Sequence, residues 1–266
     1  MARQSGHVAY EGTIGKVRHF KIKGQQGFFA GLKGGVSADR IKNGAEFKRT
    51  RENNNEFGGC AKFSRAIRYT FPGLIRNLGD SKVGNRLLKA AKRINLADVT
   101  SMRGYRTIEL SKNRDVLRNM ELNLDNPFET IFRKKLDIES VSRSESILTI
   151  LEPFCAIDTL AVPKGATHFR FVLALGVVSD FTFSSIVEGY SPTNEPLNGI
   201  NQISYSPYLP TNGIIAPFTL ECALAAATLP TNVSVVQLVG IEFYQALGTE
   251  QYPIGSGNTL KVSNVN

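Results

Sequence analysis

Apolar and polar positions follow two different periods along the chain, and the change of period falls near residue 136. In "THFRFVLAL", Phe169, Phe171, Leu173 and Leu175 alternate with other residues and share one face of an extended strand. In "FTLECALA", Phe218, Leu220, Cys222 and Leu224 do the same. "VVQLVGIEFY" is apolar on both faces, the pattern of a strand covered from two sides. Turn segments such as "VPKG", "SPTNEPLNG" and "LPTNG" separate these runs. Together they predict an antiparallel β-sandwich over residues 137–266.

Upstream the period is different. "KVRHFKIKG" followed by "QGFFAGLKGG" predicts a β-hairpin with its turn at Gly24–Gly27. From Ala45 to Pro72 the spacing is helical, with Phe47, Asn54, Phe57, Ala61, Ser64, Ile67 and Phe71 on the expected inner stripe. Gly58, Gly59 and Ala61 would let another backbone approach this helix closely. A second helix, capped by Ser81, carries the stripe Val83, Leu87, Ala91 and Ile94. The expected fold class is α+β: a basic N-terminal module of a β-hairpin and helices over residues 1–136, then the sandwich over 137–266. On this reading the fragment 137–266 folds alone.

Charge sharpens the division. Residues 1–136 hold 28 Lys and Arg against 12 Asp and Glu, a net of +16, whereas residues 137–266 hold 4 against 11, a net of −7. Such asymmetry points either to nucleic acid for the basic part or to head-to-tail association, acidic half on basic half, between identical copies. The candidate contact residues are Lys48, Arg49, Arg51, Arg65 and Arg68 on the first helix and Lys82, Arg86, Lys89, Lys92 and Arg93 on the second. The proline-rich stretch from Tyr190 to Phe218 supplies Tyr205 and Tyr208 as a possible partner loop, or it is a structured crossover.

Chemistry is sparse. His7, His19 and His168 are isolated, there is no CxxC, and no phosphate-cradling glycine motif or nucleophile elbow occurs, so the sequence implies no cofactor, no metal and no catalytic residue. Asp137 and Glu139 pair on a strand but carry no catalytic weight. Cys60, Cys155 and Cys222 read as free, buried thiols. No run approaches the roughly 18 apolar residues of a membrane span, and with no secretory h-region a cytoplasmic location is expected.

The segments "GTIGKVRHFK", "KGGVSADRI", "FKRTRENNNEFG", "GATHFRF" and "VGIEFYQ" resemble a family of Bacteroidota proteins. That resemblance brings no activity or site residue with it, and implies that the basic module and the sandwich form one unit. In outline the chain also looks like a viral coat protein, though its basic part is patterned enough to fold. The function expected is a non-enzymatic structural protein that self-associates into a filament, shell or phage-like particle; the alternative is a nucleic-acid-binding protein using the same basic half.

Overall fold

The computed structural model describes residues 2–4, 8–32, 34–225 and 228–266. It is a mixed α+β protein, 25% helical and 35% strand, with antiparallel sheets. Two compact units divide between Arg51 and Glu52, not near residue 136 as the period and charge predicted.

The first unit holds four short strands, β1 (Ala2–Arg3), β2 (Gly12–Ile14), β3 (Val17–Phe20) and β4 (Phe29–Leu32), in the order β1-β4-β3-β2. The predicted hairpin is β3–β4, registered Val17↔Leu32 to Phe20↔Phe29. Helix α1 (Ala38–Asn43) follows, its first turn capped by the Ser37 hydroxyl, which accepts from the Arg40 amide at 3.2 Å. The Arg51 guanidinium donates to the carbonyls of Ile41 at 2.9 Å and Gly44 at 2.7 Å, satisfying acceptors left open where α1 ends. None of the described residues from 2 to 51 is buried.

The second unit is built around a large sheet. Helices α2 (Lys48–Thr70, most of it in this unit), α3 (Leu74–Leu78), α4 (Val83–Ala97) and α5 (Phe128–Ile131) precede strands β5 (Asp137–Ser140), β6 (Glu145–Ile150) and β7 (Phe154–Cys155). After α6 (Ala156–Thr159) come β8 (His168–Ser179), β9 (Phe181–Ser184), β10 (Gly189–Pro192), β11 (Asn201–Tyr205) and β12 (Leu209–Pro210). The chain ends with β13 (Ile214–Ile215), β14 (Phe218–Ala223), β15 (Val233–Leu247), β16 (Glu250–Pro253) and β17 (Thr259–Val265). The central pair is β8 with β15, antiparallel from Val233↔Ser179 to Tyr244↔His168, flanked by β11 and β12 on one side and β16 and β17 on the other.

Both faces of this sheet are buried, as the doubly apolar "VVQLVGIEFY" predicts. One face puts Phe169, Phe171, Leu173, Leu175, Ile241 and Phe243 against Leu148, Ile150, Leu220 and Cys222 of a three-stranded sheet ordered β14-β6-β5. The opposite face puts Val172, Ala174, Val178, Val236, Leu238, Leu260, Val262 and Val265 against the helices, through Phe63, Ile67, Phe71, Leu87 and Ile94. At the helix contact Gly176 has no room for a side chain: a Cβ there would lie 2.3 Å from Thr70 Cγ2. This packing explains why residue 136 is no boundary. The basic helices and the acidic strands are layers of one unit, sharing a hydrophobic core.

Helix α4 buries the predicted stripe of Val83, Leu87, Ala91 and Ile94, adding Ala90. Ser81 does not cap it: the N-cap position is Lys82, without a side-chain cap, and Asp80 accepts the Lys82 amide at 2.7 Å in the turn that leads into the helix. Helix α2 departs from the expected stripe in its first half. It buries Glu56, Gly59, Cys60, Phe63, Ser64, Ile67 and Thr70, and leaves Phe57 59% exposed. Of the two glycines predicted to admit a neighbour, Gly59 lies under the Tyr190 ring, where a Cβ would come within 2.5 Å, while Gly58 faces open space.

Candidate interaction surfaces

The ten cations singled out on the two helices do not form one surface. Arg51 closes α1 as described. Lys92 turns inward and, with Asn95, Arg106 and Gly104, surrounds the buried Glu56: Lys92 Nζ donates to Glu56 Oε2, the Gly104 amide donates to Oε1 at 2.8 Å, and Arg106 Nε stands 3.9 Å away. Burial pushes the Glu56 carboxyl up, but these donors and charges outweigh it and hold it below its usual range. Asn95 joins the cluster to the chain beyond, donating to the Arg106 carbonyl at 2.8 Å, which also accepts from the Tyr190 hydroxyl at 2.8 Å. Arg86 pairs with Asp80 at 2.8 Å. Although burial opposes it, Arg86 and the amides of Lys82 and Leu124 lower that carboxyl to about 2. Arg65 lies over Tyr69 of its own helix, its carbon centre 4.9 Å from the ring. Lys48, Arg49, Arg68, Lys82, Lys89 and Arg93 are exposed.

Tyr205 and Tyr208 are not on a free loop. The stretch from Tyr190 to Phe218 supplies β11 and β12, both paired to β8. The two rings clasp the Arg170 guanidinium at 4.3 and 4.7 Å, and Tyr208 meets Tyr244 edge-on at 4.9 Å. The Tyr244 hydroxyl donates to Glu242 at 2.6 Å. His168 is half-buried beside Thr167, His19 lies on β3, and His7 falls outside the described residues. Cys60 and Cys222 are buried, Cys155 is half-buried, and all three are free; burial pushes the Cys60 thiol up to about 11. Among the described residues no group of three His, Cys, Asp or Glu side chains is placed to hold a metal. No helix among them is long and apolar enough to cross a membrane.

Two surfaces do carry concentrated character. The first belongs to the N-terminal unit. Residues 1–51 hold 11 Lys and Arg against 3 Asp and Glu, a net of +8, while residues 52–266 hold 21 against 20, a net of +1. Nearly all of the chain's excess positive charge therefore sits on the unit none of whose described residues is buried. Its sheet also shows an apolar row, Ile14↔Val17↔Leu32, with Ile14 60% and Leu32 82% exposed. A cleft of about 510 Å³ adjoins it, lined by Lys16, Leu32 and Val36 among others.

The second surface is the outward side of the three-stranded sheet. Inward positions of β6 and β14 fill the core, so the alternate positions face out. They register as Asp137↔Thr149↔Thr219, Glu139↔Ile147↔Glu221 and Glu145↔Ala223, with Val141 and Leu151 exposed beyond the paired rows. None of these positions is Lys or Arg, and none of the four carboxylates has an ion-pair partner among the described residues. The face thus gathers one sign of charge. At one end of the face Lys134 and Lys135 share a small cleft with Asp137, Thr149 and Leu151, and Arg143 lies in the turn between β5 and β6.

Sequence reasoning passed over a third feature, a cleft of about 560 Å³ at the edge of β5, with Phe128, Phe132 and Ile138 as apolar lining and Arg133, Lys134, Lys135 and Lys261 as cations. Lys261 pairs there with Glu129. Next to that pair, burial pushes the Glu121 carboxyl up to about 7; the Phe128 amide opposes the rise and the Glu129 carboxylate adds to it. The local charge run "RKK" was the only available signal. Comparison of the chain with protein-family models, with curated proteins and with solved structures gives no match.

Proposed function

We propose that this chain is a non-enzymatic structural protein that self-associates, with the basic N-terminal unit as its assembly element and the helix-backed β-sandwich of residues 52–266 as its body. The observation that carries the reading is the absence of any buried residue among the described positions from 2 to 51. Ordering a chain costs about 1–2 kcal/mol per residue in backbone entropy, and burial is the main term that offsets it. Units of this size usually need a disulfide, a metal or a partner. No cysteine occurs before Cys60, which leaves a partner as the natural source of the missing burial. The exposed Ile14 and Leu32, on a unit of net +8 and with Lys16 in the cleft beside Leu32, suit a partner surface that is both apolar and acidic.

Sedimentation velocity and light scattering on the full chain test this, with Ile14→Asp/Leu32→Asp as the comparison. The parent is expected to form species larger than a monomer at low salt, unchanged by nuclease, and the variant to sediment as a monomer. A parent that stays monomeric across dilute and concentrated samples would overturn the reading. Loss of the large species on nuclease treatment would transfer the N-terminal unit to nucleic-acid binding instead.

A further inference from the structure

We infer that the receptor for the N-terminal unit is the outward face of the three-stranded sheet, β5-β6-β14, on a second copy of this chain. The inference rests on the self-association reading above and names the other half of the contact. Its basis is complementarity of two surfaces within one sequence. One is the unit of net +8 with its exposed apolar row; the other carries Asp137, Glu139, Glu145 and Glu221 without ion-pair partners, around Ile147 and next to the exposed Val141 and Leu151. A sheet face of this kind is poorly stabilised on its own. Its carboxylates gather one sign of charge without a cation in register, and its apolar side chains stay in water. A cationic, apolar partner relieves both, and on this face four carboxylates spread over three paired strands adjoin exposed aliphatic residues.

The contact joins different surfaces on the two copies, so it is heterologous. Each copy that donates its N-terminal unit keeps its own acidic face available, and association continues into a ring or an open filament. The chain's charge asymmetry thus acts between copies through two restricted patches, since the rest of the basic and acidic halves is already packed together in the core of one unit.

Three full-length variants test it by sedimentation velocity, with circular dichroism to verify folding. The first reverses the sheet face (Glu139→Lys, Glu145→Lys, Glu221→Lys). The second reverses exposed cations of the N-terminal unit (Lys16→Glu, Lys23→Glu, Lys48→Glu). The third carries both sets. Like charges brought together at an interface cost several kcal/mol, so each single set is expected to weaken self-association at least about 100-fold. The third variant is expected to associate again, and an equimolar mixture of the first two to co-assemble in alternation, because the unchanged N-terminal unit of the first meets the unchanged sheet face of the second and the two reversed surfaces meet each other. If the sheet-face variant assembles like the parent while the N-terminal variant does not, the receptor is elsewhere and the assembly reading stands. If both single variants are monomeric but the double reversal and the mixture remain so, pairing between these two surfaces is likewise refuted.

Discussion

Truncation to residues 137–266 removes the helices from one face of the large sheet. Val172, Val178, Val236, Leu238, Leu260, Val262 and Val265, all essentially inaccessible in the full chain, become exposed. At about 1.5 kcal/mol or more for each fully buried Val or Leu, the loss is on the order of 10 kcal/mol. That is comparable to the about 5–15 kcal/mol that holds an ordinary domain together. The fragment is therefore expected to be unfolded or aggregated, contrary to the independence that its strand pattern suggests. Residues 52–266, which keep the helical layer, are expected to give a cooperative urea transition by circular dichroism. A 137–266 fragment that melts cooperatively at nearly the same urea concentration as 52–266 would refute the two-sided packing argument.

Phe57→Ala is expected to change stability by no more than about 0.5 kcal/mol, since the ring is exposed, whereas Phe63→Ala is expected to cost about 3–5 kcal/mol in the same urea titration. Gly59→Ala places a methyl against the Tyr190 ring and is expected to cost about 1–3 kcal/mol, partly recovered by combining it with Tyr190→Leu. Lys92→Met leaves Glu56 buried without its main partner and is expected to cost about 3–5 kcal/mol, with less lost when Glu56→Gln accompanies it. Asp80 has a lowered carboxyl, so its contribution is present above the unfolded value of 3.8 and is lost as pH falls through about 2; Asp80→Asn is expected to remove about 2 kcal/mol of acid dependence from stability curves taken across that window. Glu121 has the opposite sign: its raised carboxyl makes stability fall as pH rises from about 4.5 to about 7, and Glu121→Gln is expected to exceed the parent in stability at pH 8 with the gap closing toward pH 5.

What the sequence made legible follows from which forces leave a periodic trace. The alternation at Phe169–Leu175 and Phe218–Leu224 and the stripe Val83–Ile94 all mark buried faces, because large aliphatic and aromatic residues recur there at the period of the element. Helix α2 keeps Ser64 and Ile67 of the expected stripe inside but departs from it in its first half, because the buried face there includes Glu56 and Gly59, which hydropathy assigns to solvent, in place of Phe57. Glu56 is inside because Lys92, Gly104 and Arg106 converge on it from 36 to 50 positions away, a proximity no local window contains. The boundary at residue 136 failed for a related reason. A change of period marks where helices give way to strands, and says nothing about whether the two then share a core. For the two proposed surfaces, net charge by halves gave only their signs, and the position of the patches depended on register: the pairing of β5, β6 and β14 shows that Glu139 and Glu221 flank Ile147 on one side of one sheet.

The two-sided sheet also sets a timetable for synthesis. The stripe on α2 to α4 is complete once residue 97 has been made, yet its cover includes Val236, Leu238, Leu260, Val262 and Val265, from the final strands. At about 5–20 residues per second, roughly ten to thirty seconds separate the helices from the strands that shield them. Throughout that interval a basic, apolar helical segment emerges from the ribosome without its partner, and neighbouring nascent chains on one message would present the same segment to each other. Chaperone capture of this segment, and its competition with premature pairing between chains, therefore bears on the yield of the protein as directly as the stability of the finished fold.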